Sequence, residues 1–491
     1  MNDDRQLEER LRRLSWPVDR GNGWAGVEAQ AQNKQRASQE ALPETIRVDE
    51  RAGGSTRAAP PKASAPRRRS GLRVAVFASI TVVLVAAITV GTLEAVKYLG
   101  TDQPILVITD DTAGISPGST GQTTQTAAGE ASAAMERGNL ERTGVYPDGG
   151  PTRLSGVLWK FWTGKSLRSS PAVLDGTVYV GVLPRYLYAL DAQTGQQKWF
   201  FEAGDRVSSP AVSDGMVYFG SDDGNLYALD ARTGQQMWKF NTGVLFVSCP
   251  AVSGRTVYFV SADGVLYALD SRSGQQEWSF QTDQWVDFNS SPAVSDGVIY
   301  FSTDGEGGSL YAVDATSGQQ KWKLSKVPVN ARWSFSSPPA VSDGVVYVGS
   351  DDCYLNAADI QTGRLKWHFR TGEGAPSSAA VPSSAAISGG AAYVGTDDGH
   401  LYAVDINTGQ EKWTFTTGQG NFIPTTSPPA ISGEVVYFGG PDGVLYAVDM
   451  YTGQLLWTFG TAGGDGTGGS PAITGGVVYF VANDGYLYAL K

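Results

Sequence analysis

Three acidic pairs are the first residues here whose type and spacing could hold a cation: Asp222–Asp223 and Asp397–Asp398, each followed by glycine, and Asp351–Asp352, followed by cysteine. A Ca2+ loop draws six to eight oxygens from closely alternating positions, and nothing around these pairs supplies that density. Asp-Gly is also the ordinary residue choice for a tight hairpin turn, which is the reading adopted. Cys249 and Cys353 form no CxxC pair, and each stands where parallel phrases of the chain carry Ser or Gly, so both read as inert substitutions. Two histidines, His368 and His400, are too few for a His-rich metal centre. No catalytic, metal or cofactor-binding residue is therefore assigned. A binding surface is a different matter. Trp285, Asp287 and Phe288 in "QTDQWVDFNS", Arg332 and Trp333 in "SKVPVNARWSFS", Phe422 in "TTGQGNFIPTTS", and Arg168 and Arg206 lie in equivalent connecting segments. Aromatic residues with Arg on loops are what a peptide- or glycan-binding surface uses, although each could instead pack against the scaffold.

The elements that must position these loops come from a repeat. "LYALDARTGQQMW" at 226 recurs in variant form at 187, 266, 310, 355, 401 and 445, and an eighth copy begins at "LYALK", 487–491. Seven copies are not seven active sites; they are architecture. Each unit starts with a version of "SSPAVSDGVVYVGS", in which "PAV", a polar-Gly turn and an alternating run read as two strands. "LYALD" is a third strand, "TGQQ" a turn and "KWKF" a fourth. Four strands in about 40 residues, repeated, is the signature of a β-propeller blade. The Gly of "TGQQ" suits a positive φ, the Asp and Thr ahead of it can bond the turn's free backbone groups, and the Trp offers a flat face to the next blade with an indole N–H that needs an acceptor.

The spacing separates scaffold from loop. Pro171–Trp199, Pro210–Trp238, Pro250–Trp278, Pro339–Trp367, Ala385–Trp413 and Pro429–Trp457 all span 28 residues, and Pro292–Trp322 spans 30. From each Trp to the next blade's start the gap ranges from 11 to 18. The outer-to-inner connections take up nearly all the variation, and such loops carry function. Pro471 starts a blade that ends at Lys491 without its fourth strand, and "SGVLWKFWTG", 155–164, is an orphan fourth strand with Trp159 in register. Pairing the two closes a ring of eight with docking tryptophans Trp159, Trp199, Trp238, Trp278, Trp322, Trp367, Trp413 and Trp457, and avoids two open sheet edges.

Ahead of the ring, residues 74–93 are twenty positions without a charge, the length that crosses a hydrocarbon core. Arg67, Arg68, Arg69 and Arg73 precede them, so the positive-inside rule places residues 1–73 in the cytoplasm and the ring outside. Residues 1–73 hold 15 Lys and Arg against 10 Asp and Glu, whereas the remainder holds 23 against 39. That acidic body excludes a nucleic-acid surface. The expected organisation is a mostly disordered cytoplasmic arm (1–73), a transmembrane helix (74–96), an extracytoplasmic linker (97–134), a lead-in segment (135–154) and an all-β, eight-bladed propeller closed by its N- and C-terminal strands (155–491).

The repeat resembles the tryptophan-docking units of the pyrroloquinoline-quinone (PQQ)-like propeller superfamily, A-x-D-x-x-T-G-x-x-x-W, matched at Ala228, Asp230, Thr233, Gly234 and Trp238. "MERGNLERTGVYPDGG", 135–150, resembles the lead-in that often precedes such propellers in bacteria. The resemblance implies two kinds of function. Quinoprotein dehydrogenases bind PQQ with Ca2+ at the ring's mouth, and their alcohol-oxidising members carry a vicinal Cys–Cys that this chain lacks. Outer-membrane assembly lipoproteins and kinase-sensor propellers are binding modules. The expectation is a non-enzymatic envelope scaffold, without PQQ or Ca2+, whose partner is an envelope protein or glycan. A PQQ-dependent dehydrogenase and a sensor signalling to the cytoplasmic arm are the alternatives.

Overall fold

The computed structural model describes residues 105–109, 133–163, 169–245, 248–283, 291–303, 308–327, 335, 337–372, 383–418, 427–461, 466 and 468–491. The arm and the membrane helix expected over 1–96 lie outside them. Among the described residues no helix is long and apolar enough to cross a membrane.

Eight sheets follow one another, each with a four-stranded blade that runs in sequence order from the innermost strand outward in the first seven and takes its outer strand from the front of the chain in the eighth; three of the sheets gain a fifth strand. In the first blade these are Ala172–Leu174, Thr177–Val182, Tyr186–Asp191 and Gln197–Glu202. Local chemistry explains each turn. Between the first two strands, Asp175 and Gly176 both take positive φ (49° and 68°), and Asp214–Gly215, Asp296–Gly297 and Asp343–Gly344 repeat the pattern. Those are the values a two-residue type I′ hairpin requires. Between third and fourth strands, Asp191 Oδ1 accepts from the Thr194 amide and hydroxyl, both at 2.9 Å, and the Gly195 amide reaches the Asp191 carbonyl at 2.8 Å. The same cap recurs at Asp230, Asp270, Asp314, Asp359, Asp405 and Asp449.

Every docking tryptophan lies on its blade's outer strand opposite a fully buried alanine, as Trp199 does opposite Ala189, with a register shift just beyond. The small residue leaves the indole free to lean out onto the next blade. Trp159, Trp199, Trp238, Trp278, Trp322, Trp367 and Trp413 donate their indole N–H to Ala192, Ala231, Ser271, Ala315, Ile360, Ile406 and Met450, each the carbonyl just past the next blade's third strand. The turn glycine has a second duty here. A Cβ on Gly195 would stand 2.6 Å from the Trp159 ring, so the glycine is the floor on which the neighbour's indole rests, as well as a positive-φ residue.

Closure is by the two chain ends. Val157–Trp162 pairs antiparallel with Tyr486–Leu490, setting Ala489 opposite Trp159. Eight apolar clusters fill the eight gaps between adjacent blades, including Trp159 with Val178 and Val481 across the seam. Blade eight ends at Lys491 and has no third-to-fourth turn to receive Trp457, so Pro151 of the lead-in supplies the acceptor, at 2.8 Å from the indole nitrogen. Two short strands fall inside the segment expected as linker. Ala133–Ala134 pairs with the inner strand of blade two, and Ile105–Thr109, four of whose five residues are β-branched, pairs with the outer strand of blade four.

Candidate functional site

The lead-in occupies the axis of the ring. Inner strands of a propeller leave backbone donors facing the channel, and buried donors need partners. The lead-in supplies them in turn: Leu140, Glu141, Thr143 and Gly144 carbonyls accept from Val294, Val341, Ile387 and Ile431 of blades four to seven, at 2.7–2.9 Å. Val145–Tyr146 then lies parallel to Ile431–Ser432, and Asp148 Oδ2 accepts from the Thr474 hydroxyl of blade eight at 2.8 Å. Following these turns requires left-handed backbone at Arg137, Gly138, Arg142 and Gly144 (φ 67°, 85°, 55° and 70°). A Cβ on Gly144 would lie 2.8 Å from the Pro429 carbonyl oxygen, so no larger residue fits there. The R-G and R-T-G phrases of the motif are thus backbone requirements.

Its two arginine side chains are enclosed. Arg137 and Arg142 are fully buried. Arg142 binds Glu136 Oε2 at 2.7 Å and donates to the Pro292 and Cys249 carbonyls at 2.7 and 3.3 Å. Glu136 Oε1 accepts from Ser170 and Ser209 at 3.3 and 3.4 Å. Burial pushes the Cys249 thiol up to about 11, with Glu136 adding to the rise, so the sulfur stays protonated and is a poor nucleophile. The repeated "SS" has two distinct roles. The first serine accepts a backbone N–H from its blade's second strand, as Ser208 does from Gly220 and Ser383 from Gly395, both at 2.9 Å. The second, represented by Ser170 and Ser209, faces the axis. Sequence reasoning assigned no role to Glu136, Arg137, Arg142 or these serines; the signal was the lead-in motif itself.

The acidic pairs sit at the same end of the ring as the variable loops. Asp223 accepts from Tyr227 Oη at 2.6 Å, the Gly204 amide at 2.9 Å and the Asn225 amide at 3.0 Å, which is turn chemistry. Asp442 and Asp484 repeat the tyrosine contact with Tyr446 and Tyr488. Burial pushes Asp222 up to about 7 against the pull of Arg206, its ion-pair partner. Burial also pushes Asp397 up to about 7, with Asp351 and Asp398 alongside. Cys353 takes φ 70° at the position where Gly224, Gly399 and Gly443 take 76–84°, so it holds a glycine's conformation. Of the candidate binding residues, Arg206 is described and is tied to Asp222; Arg168, Trp285, Asp287, Phe288, Arg332, Trp333 and Phe422 lie outside the described residues.

A PQQ–Ca2+ centre needs an oxygen cage at this mouth. Among the described residues no group of three or more His, Cys, Asp or Glu is placed to hold a metal ion. The lead-in carboxylate Glu136 is engaged by Arg142 and two hydroxyls.

Likeness to known proteins agrees with the geometry. The structure is similar to BamB from Moraxella catarrhalis (TM-score 0.55, 20% identity, 68% of this chain and 97% of that one). It is similar also to the quinohemoprotein alcohol dehydrogenase from Comamonas testosteroni (TM-score 0.61, 17% identity, 72% and 80%). A third likeness is to the computationally designed Ika8 protein (TM-score 0.54, 20% identity, 72% and 99%). At these identities the likeness is one of fold. No curated protein matches the chain by sequence. The family model described as outer membrane protein assembly factor BamB matches residues 153–279, 209–326 and 282–491, which together run from the closing strand to the C-terminus, and the chain belongs to that family.

Proposed function

We propose that this protein is a membrane-anchored scaffold of the cell envelope, holding the propeller outside the cytoplasm as a non-enzymatic binding module for an envelope protein or glycan. The observation that carries the reading is the occupied axis. The chain's own lead-in fills the channel from Ala133 to Asp148, which leaves the face of variable loops as the place for recognition. Membership of the BamB family supports a protein partner, and the uncharged run at 74–93 behind a basic flank supports the anchor and its direction. The test is membrane-impermeant cross-linking on intact spheroplasts, followed by purification of the full chain. Adducts to an envelope protein or glycan on the loops between Thr282 and Ser427 are expected. Adducts confined to residues 1–73 would invert the protein. Dye-linked alcohol oxidation by the purified chain with PQQ and Ca2+ would replace the scaffold with a dehydrogenase.

A further inference from the structure

Arg137 of the lead-in motif is buried without a carboxylate hydrogen-bonded to it. The carboxylate that faces Arg137 is Glu136, and Glu136 is already bound to Arg142 and to two serine hydroxyls. Both guanidinium groups are fully buried, and with Glu136 paired to Arg142 the hydrogen bonds of Arg137 go to backbone carbonyls and to no carboxylate. A buried charge without a counter-charge is strongly disfavoured. Arg137 Nε donates to the Arg142 carbonyl at 3.0 Å and Nη2 to the Ala385 carbonyl, but Nη1 is closed to solvent and meets no acceptor. Ser384, which immediately precedes Ala385, is also buried, and its hydroxyl meets no partner. Arg137, through its bond to the Ala385 carbonyl, and Ser384, through its place in the chain, thus each bring an unsatisfied polar group to the start of blade six.

We propose that Arg137 Nη1 and the Ser384 hydroxyl bind a small monovalent anion, a halide or a formate-sized carboxylate. The guanidinium only donates and the hydroxyl can donate, so a partner shared by the two is an acceptor. A water molecule would satisfy the hydrogen bonds and leave the charge, whereas an anion answers both. The ligand is small because the packing is tight: even a methyl group on Gly144 would lie 2.9 Å from Arg137 Nη2. Burial also weakens the guanidinium's hold on its proton, lowering it to about 9, with Glu136 opposing. Such an anion ties the lead-in to the inner strand of blade six and stabilises the closed ring by mass action.

The test uses the full chain in detergent. At constant ionic strength, replacing sodium gluconate by sodium chloride or formate raises the melting temperature saturably. Crystals soaked in sodium bromide show an anomalous peak within hydrogen-bond reach of Arg137 Nη1 and Ser384 Oγ. Ser384→Ala, which keeps the backbone and removes one donor to the ion, weakens half-saturation by about tenfold. Arg137→Gln abolishes the response, and if that variant fails to fold, Ser384→Ala and the bromide peak still decide. The proposal is overturned by a water, or a carboxylate of the chain itself, on Nη1 in the bromide crystals. Equal melting in chloride and gluconate, or an unchanged Ser384→Ala response, overturns it as well.

Discussion

Trp159→Ala removes the one docking tryptophan that reaches the ring from the front of the chain. Its indole is nine-tenths buried, rests on Gly195, and lies 5.9 Å from the ring of Tyr479. Truncating a buried tryptophan costs about 3–5 kcal/mol. The lost N–H bond adds little, because the Ala192 carbonyl keeps the Tyr479 hydroxyl at 3.1 Å and is not orphaned. The expected loss is therefore near the lower end, about 3–4 kcal/mol, read as a lower denaturant midpoint in guanidinium unfolding of the full chain. Gly195→Ala supplies the control. In the wild type its Cβ meets the indole at 2.6 Å on a backbone of φ 69°, so it incurs overpacking of about 1–3 kcal/mol as well as the left-handed penalty of about 1 kcal/mol. In the Trp159→Ala background the clash is gone and only the backbone penalty remains. The two substitutions should thus couple by at least about 1 kcal/mol. Additive effects, or a Trp159→Ala loss below about 1 kcal/mol, would refute the stacking of Trp159 on Gly195 and with it closure by this strand.

Asp397→Asn tests the buried acid. Its folded pKa of about 7 lies above the ordinary 3.8, raised by burial first and then by Asp351 and Asp398, so the native state keeps a proton that the unfolded chain releases. Stability is full below about pH 4 and falls as pH rises toward 7; the amide should be near neutral at pH 4 and stabilising by on the order of 1–2 kcal/mol at pH 8, measured by urea unfolding at both values. Ser383→Ala removes the hydroxyl that receives the Gly395 amide in a fully enclosed position, and should cost about 1–3 kcal/mol in the same assay, whereas loss of an axial serine such as Ser209 should cost less.

What the sequence by itself determined is everything carried by short-range, repeated chemistry. Asp-Gly at the hairpins, Asp-x-x-Thr-Gly at the outer turns and Trp at a fixed offset each report a local backbone need, and eightfold repetition makes those needs visible without a partner in view. The orphan strand at Val157–Trp162 was legible for the same reason: Trp159 stood in register with its seven counterparts. The acidic pairs were readable as turns because Asp-Gly has a local meaning.

Only the tertiary structure decided what occurs once. The lead-in is a single copy, and its path along six blades depends on carbonyls meeting amides up to about three hundred residues away, as Gly144 meets Ile431. Nothing in "MERGNLERTG" read alone says that its arginines lie on an axis, because that axis exists only after the ring closes. Pro151 as the acceptor for Trp457 is likewise a consequence of where blade eight runs out of chain. The doubled serine divides its work for the same reason. One hydroxyl answers a need inside its own blade, and the other faces a channel that no single blade contains.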